Sequence, residues 1–304
     1  MAYASFPYAS GAYGAAGAGA EWSPDPGNVL FLSPRDSDLA TMTASTAVAS
    51  LPVTNLQNQE PSRVWRTTSA TNQYVDIIFA RSAPWNAVAM SAFTGTDAMV
   101  WRLSFYAAAA DIGVTPALTS GWQSVWPEGY RHTDPEWGPE VALLQVTNED
   151  TNYRYARVEF SDPSDTSGYI DIGRLAVGRA AQFGINCDFG NGVTFAPNDT
   201  QEPNGWGQIF TEPRPANRLF EMTWSALGQR EVHNVAMELT RLRGLGGDVF
   251  CFLDPGEVEF FHKWSMQALF TGRADYRSAP LWVTDIDDQL RMAWGFSLAL
   301  VQKR

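Results

Sequence analysis

The residues best equipped for chemistry are few and scattered. Three histidines, His132, His233 and His262, stand apart from one another and from the two cysteines, Cys187 and Cys251. A metal site needs ligands that converge at fixed spacings, and no CxxC or Cys/His framework supplies them. The cysteines sit in apolar or aromatic settings and read as buried free thiols. No G-x-S-x-G elbow marks a nucleophilic serine, although a triad drawn from distant parts of a chain needs no such motif. Asp188-Phe189-Gly190 matches a kinase tripeptide by its letters, without the phosphate loop or catalytic loop that chemistry needs. Gly244, Gly246 and Gly247 follow a helix-like stretch instead of opening one, so they read as a terminator and not a phosphate cradle. Asp285, Asp287 and Asp288 offer oxygen ligands but lack the glycine and distal glutamate of a calcium loop, and read as a solvated turn. The 33 acidic residues give many possible carboxylate pairs, and a pair means nothing without geometry. No catalytic residue, metal ligand or cofactor site is assigned, no cofactor is expected, and the chain reads as a non-enzyme.

The aromatic residues carry more. Trp122, Trp126, Tyr130 and Trp137 lie near Arg131, His132 and Asp134 in a long polar connection spanning 111–140. Flat apolar rings beside hydrogen-bonding groups can cap a core, anchor a protein interface or stack on sugar rings, and all three uses stay open. The first twenty residues are almost all Ala, Gly, Ser and Tyr, with no Lys or Arg before Arg35. They lack the basic start and apolar run of a signal peptide. They read either as an arm that orders on docking or as a loose end.

Elements must position these residues, and the composition bounds what the elements are. The chain has 304 residues, 45% hydrophobic and 18% charged, with 12 Trp, 10 Tyr and 17 Phe, which excludes bulk disorder. A net charge of −12 disfavours sequence-independent nucleic-acid binding. No run of 18 apolar residues occurs, so no membrane span is expected.

Short strands are expected at 28–32, 74–79, 87–92, 99–106, 141–146, 153–160 and 169–177, with turn-rich gaps and no helical period. That spacing marks a sandwich or jelly roll. Residues 35–72 read as loop with little helix. Val232, Val235, Leu239 and Leu242 recur at helical spacing within 229–243. Strands at 218–224, 249–253, 281–284 and 290–301 complete a second unit. In the last of these Met292, Trp294, Phe296, Leu298 and Leu300 share a face, as in a strand built to pair within a barrel or across subunits. The expected class is therefore mainly β: an N-terminal β-sandwich or jelly roll, then a smaller α+β domain with a sheet and one main helix. The expected boundaries are a flexible arm at 1–26, the jelly roll at 27–183, a Gly/Pro-rich connector at 184–216 and the α+β domain at 217–304.

Two stretches resemble known families. LPVTNLQNQEPSRVWRTTSATNQYVDIIF (51–79) and YARVEFSDPSDTSGYIDIGRLAVGRA (155–180) resemble the opening and closing segments of discoidin-like, galactose-binding jelly rolls of bacteriophage tail proteins. Residues 217–304 are similar to tail-tip proteins of the distal-tail kind, in which a sheet flanked by one helix builds rings. The resemblance implies a virion structural protein of the phage tail tip or baseplate, assembled in the host cytoplasm into a homo-oligomeric ring with other tail proteins. Tyr3, Phe6, Tyr8 and Tyr13 would anchor neighbours, and the strand at 290–301 would build the ring wall. The alternative is a carbohydrate-binding module for adsorption to bacterial surface glycan.

Overall fold

The computed structural model describes residues 27–126, 131, 139–148, 151–188, 192–203, 205–244, 246–271, 275–284 and 290–303. Tyr3, Phe6, Tyr8, Tyr13, Tyr130, Trp137, His132 and the Asp285–Asp288 cluster lie outside them. The first half runs β1 (Leu30–Leu32), a short helix (Arg35–Asp38), β2 (Thr41–Ala44), a 3-10 turn (Val53–Gln57), β3 (Trp65–Arg66), β4 (Gln73–Ala83), β5 (Ala87–Phe93) and β6 (Val100–Tyr106). It continues with β7 (Leu118–Thr119), β8 (Gln123–Ser124), β9 (Val141–Gln145), β10 (Tyr153–Ser161), β11 (Asp171–Gly178) and β12 (Ala180–Gln182). The second half runs β13 (Gly192–Ala196), β14 (Thr200–Pro203), β15 (Ile209–Glu212), β16 (Asn217–Leu227), a helical run over Gln229–Glu231, Val232–Ala236 and Met237–Arg243, β17 (Asp248–Phe252), β18 (Ser265–Phe270), β19 (Asp275–Thr284) and β20 (Leu290–Gln302). The chain is mainly β, and its strand pairs are antiparallel.

Two sheets make the sandwich. One has the order β2-β4-β10-β6-β7, with β8 also on β6; the other has the order β3-β11-β5-β9. Period-2 alternation turns Val75, Ile77 and Phe79 of β4, Ala156, Val158 and Phe160 of β10, and Trp101, Leu103 and Phe105 of β6 inward. They meet Val88 and Met90 of β5 and Leu175 and Val177 of β11 in one apolar core. Ala92 departs from the alternation: its φ of 53° re-aims the strand, so that Phe93 enters the core. Beside it Gly173 admits the loop at Pro61, whose carbonyl oxygen would lie 2.1 Å from an added Cβ.

The second sandwich sheet is buried on both faces. A third sheet, ordered β12-β1-β17-β18-β20-β16-β13 with β19 on β20, lies against it. Strands β1 and β12, placed by sequence in the jelly roll, belong to this third sheet: Phe31 is opposite both Ala181 and Cys251. Leu30, Leu32, Phe250 and Phe252 pack on Ala87, Ala89 and Ala176, whose small side chains let the sheets approach. Alternate residues, Phe31, Val249, Cys251, Trp224, Phe296, Leu298 and Leu300, face the helix through Val232, Val235, Ala236 and Leu239. The order is therefore sheet, sheet, sheet, helix.

Other expectations shift locally. Residues 35–72 hold a short helix and two strands, and the expected connector holds β13, β14 and β15. Val232–Ala236 forms a π turn, so the helix is not uniform. Gly244 ends it with φ 55°. β20 pairs with β16 on one side and with β18 and β19 on the other, so its pairing is satisfied within the chain and not across subunits.

Between the middle and third sheets lies Arg174, 0% exposed. Its Nε and Nη2 donate to Asp248 at 2.8 and 3.0 Å, and Nη1 and Nη2 donate to Asp38 at 2.5 and 2.9 Å. Nη1 also donates to the Leu56 carbonyl at 3.0 Å, which uses all five guanidinium N–H groups. Asp248 accepts from Gln267 at 2.8 Å, and Gln267 accepts from Ser91 at 2.5 Å. Burial by itself would lower the Arg174 pKa, but the bonds to Asp38 and Asp248 outweigh it and hold the group above its ordinary value. Arg174→Met strands a buried carboxylate and should cost about 3–5 kcal/mol in urea unfolding. Adding Asp248→Asn to that variant should recover part of the loss.

Candidate functional site

The aromatic residues of the 111–140 connection separate into two kinds. Trp126 is 4% exposed, tilts against Phe93 at 5.1 Å and donates its Nε1–H to the Thr96 carbonyl at 2.8 Å. Its ring closes one end of the sandwich core and has little surface to offer a ligand. Arg131 lies over that ring at 5.5 Å and reaches Asp97 at 3.6 Å. Trp122, four residues earlier, is 43% exposed. It precedes β8, which pairs with β6 at Trp101 and Val100.

Trp122 stands over the outer face of the first sheet. The guanidinium of Arg102 lies 4.8 Å from its ring centre, and Arg102 is locked to Glu159 by an Nε bond of 2.7 Å. Register places Arg102, Glu159 and Tyr74 side by side on β6, β10 and β4. The next row holds Ser104, Arg157 and Asp76. Arg157 grips Asp76 through two bonds of 2.6 and 2.9 Å and covers the Tyr74 ring at 3.8 Å. Its pKa is raised, first by the hydrogen bond to Asp76. The turn at Gly113, φ 76°, closes over Arg157: a Cβ there would meet Nη1 at 2.3 Å. The turn at Gly113 thus covers Arg157, whose side chain is 15% exposed against 32% for Arg102 in the Trp122 row. The sequence marks Glu159 as alternating with the core residues of its strand, but it singles out none of Tyr74, Arg102 and Glu159 as a site candidate.

Near Trp126 the loops are held by Asp162, which accepts from the Thr96 N–H and hydroxyl, both at 2.6 Å. Glu140, just before β9, is half-buried. Burial pushes its carboxyl up to about 7, against a smaller pull downward from Arg131. The unfolded chain ionises this group near 4.5 and the folded chain near 7, so stability falls as pH rises through that window. The thermal midpoint should be higher near pH ~5 than near pH ~8 by this contribution. Glu140→Gln should flatten that part of the dependence, as followed by calorimetry.

A concavity lies at the junction of the sandwich with the helix, with a volume of about 80 Å³. Trp85, Val235 and Leu239 give it an apolar lining, and charges of both signs line it too, Arg35, Arg81 and Arg179 with Asp36 and Glu238. Arg81 is tied to Asp36 by two bonds of 3.1 Å and lies 5.1 Å over Trp85.

The remaining sequence candidates are dispersed. His233 is exposed, with its ring edge against Trp294, and the His262 carbonyl accepts from Arg218. Cys251 is buried, which pushes its thiol up, and Cys187 is partly buried; neither is in a disulfide. Asp188 bonds to Ser225. Among the described residues no group of three or more His, Cys, Asp or Glu could hold a metal ion, and no helix is long and apolar enough to cross a membrane.

Comparison with known proteins gives a likeness of fold. No family model and no curated protein matches the sequence. Similar solved structures include the family 32 carbohydrate-binding module of C. perfringens NanJ in complex with galactose, at 12% identity over 48% of this chain and 98% of that one, with a TM-score of 0.34. A Streptococcus pneumoniae fucose binding module is 12% identical over 46% of this chain and 90% of that one, with a TM-score of 0.32. Reduced XRCC1 bound to the DNA pol beta catalytic domain is 14% identical over 45% and 93%, with a TM-score of 0.34. Likenesses this distant include both sugar-binding and protein-binding molecules, so they assign no ligand to this chain.

Proposed function

We propose that the chain is a non-catalytic binding protein that engages bacterial surface carbohydrate at the Trp122 row of its outer sheet. The observation that carries this reading is the pre-set indole: Trp122 is held by Arg102, which is itself fixed by Glu159, so little side-chain freedom remains to be lost on binding. Sugars offer apolar C–H faces that suit an aromatic ring. Their hydroxyls suit the neighbouring carboxylate, guanidinium and phenol groups. Binding to host-surface polysaccharide, measured by calorimetry, should weaken at least ~10-fold in Trp122→Ala, about 1.4 kcal/mol or more, with an unchanged thermal midpoint. Trp126→Ala should instead cost about 3–5 kcal/mol of stability, because it empties part of the core. Undiminished binding by a folded Trp122→Ala chain overturns the reading.

A second reading, a structural component of a phage tail tip that binds other tail proteins and itself, is favoured by a different feature. β14 and β15 form a two-stranded hairpin whose strand residues are all exposed. Isolated hairpins are marginal in water, and apolar residues on them suit a partner. Co-purification with tail proteins, or its failure, tests this reading.

A further inference from the structure

The Trp122 row has an aromatic ring at each end. Register sets Tyr74, Glu159 and Arg102 side by side on β4, β10 and β6, so Tyr74 lies two strand spacings from Arg102, about 10 Å. Trp122 stands over Arg102, which puts an indole at one end of the row and a phenol at the other. Each ring is backed by a guanidinium, Trp122 by Arg102 at 4.8 Å and Tyr74 by Arg157 at 3.8 Å. A cation against one face steadies a ring and leaves its other face for a ligand. Trp122 is exposed and Tyr74 partly so. Neither the indole N–H nor the phenol hydroxyl is spent on another described residue.

The charge between the rings, by contrast, is already spent. Arg102 donates to Glu159 through Nε at 2.7 Å and reaches it through Nη2 at 2.6 Å. Arg157 and Asp76 hold each other in the next row through two bonds. An acidic sugar finds no unpaired cation among these four groups, and its carboxylate would lie against Glu159 or have to displace it. At longer range the net charge of −12 repels it as well. A neutral sugar meets no such cost, because a paired carboxylate keeps lone pairs for further hydroxyl donors.

Spacing decides how much of a sugar chain the row takes. Two rings about 10 Å apart are too far for one pyranose to touch both, and they match alternate units of an extended chain. We propose that this face binds the interior of an extended, neutral polysaccharide laid across the strands, with alternate sugar units on Trp122 and Tyr74 and the unit between them over Arg102 and Glu159. The inference rests on the carbohydrate reading of the face and adds the charge of the sugar and the length of chain it holds.

Calorimetry on the full chain tests it. The probes are neutral and acidic fractions of bacterial surface polysaccharide, parted by anion exchange and cut by partial hydrolysis into sized oligosaccharides. Affinity for the neutral series should rise about 10-fold or more from about two to about four units, as the second ring is engaged, and then level off. Added salt should change it little. Tyr74→Ala should remove most of the gain with length and spare binding of the shortest oligosaccharides, whereas Trp122→Ala should weaken both. Tyr74→Phe keeps the ring and should keep the gain. Circular dichroism melting should show the variants folded. Tighter binding of the acidic fraction, affinity that does not grow with length, or an undiminished gain in folded Tyr74→Ala overturns the inference; a Trp122→Ala chain that still binds more weakly then leaves the carbohydrate site standing. Binding undiminished in Trp122→Ala, or no binding of either fraction, overturns the site and the inference together.

Discussion

Everything else in the molecule is arranged around a buried guanidinium. Arg174 sits where two sheets meet, and its donors reach a helix, a turn and a strand of the third sheet at once. A cation in such a place is tolerable only when every N–H has a partner, and the cost of leaving one empty is far larger than the gain from filling it. The group therefore acts less as glue than as a gauge. It is satisfied in one relative placement of the sandwich and the third sheet, and a slip of either leaves charge stranded in an apolar layer.

That constraint explains the character of the strands beside it. The middle sheet cannot show the clean alternation of its outer neighbour, because both its faces are covered. β11 is buried at every position, and β5 at all but one. On the side facing the third sheet, next to Arg174, three of its residues are small, Ala87, Ala89 and Ala176, and large side chains come from Leu30, Leu32, Phe250 and Phe252 opposite. Volume is traded across the interface, which keeps the packing dense without strain.

Much of the fold was legible in the sequence because local signals suffice for a half-exposed strand. The alternation in β6 and β10 gave their extent to within a residue and their shared faces, whereas β4, expected over 74–79, runs on to Ala83. The assignment of β1 and β12 was not legible: three apolar residues announce a buried strand, but not which sheet it joins, since that is decided by pairing with residues far along the chain. The β14–β15 hairpin was missed because its apolar residues do not alternate and the glycines and prolines around it read as loop. Trp122 and Trp126 could not be told apart, being one residue type in one loop. What separates them is tertiary: Phe93 and Thr96 receive one ring, and Arg102 holds the other over the sheet. Arg174, flanked by Gly173 and Leu175, carried no local sign of its partners.

The place of β1 has a consequence for how the chain comes together in time. Phe31 is among the first described residues to leave the ribosome, yet its partner Cys251 follows about 220 residues later. Until then one edge of β1 has no neighbour, and closing so long a loop carries an entropic cost that local contacts cannot offset in advance. The sandwich sheets can form while synthesis continues. The third sheet cannot close until β20 has been made, so its first strand waits longest for its place.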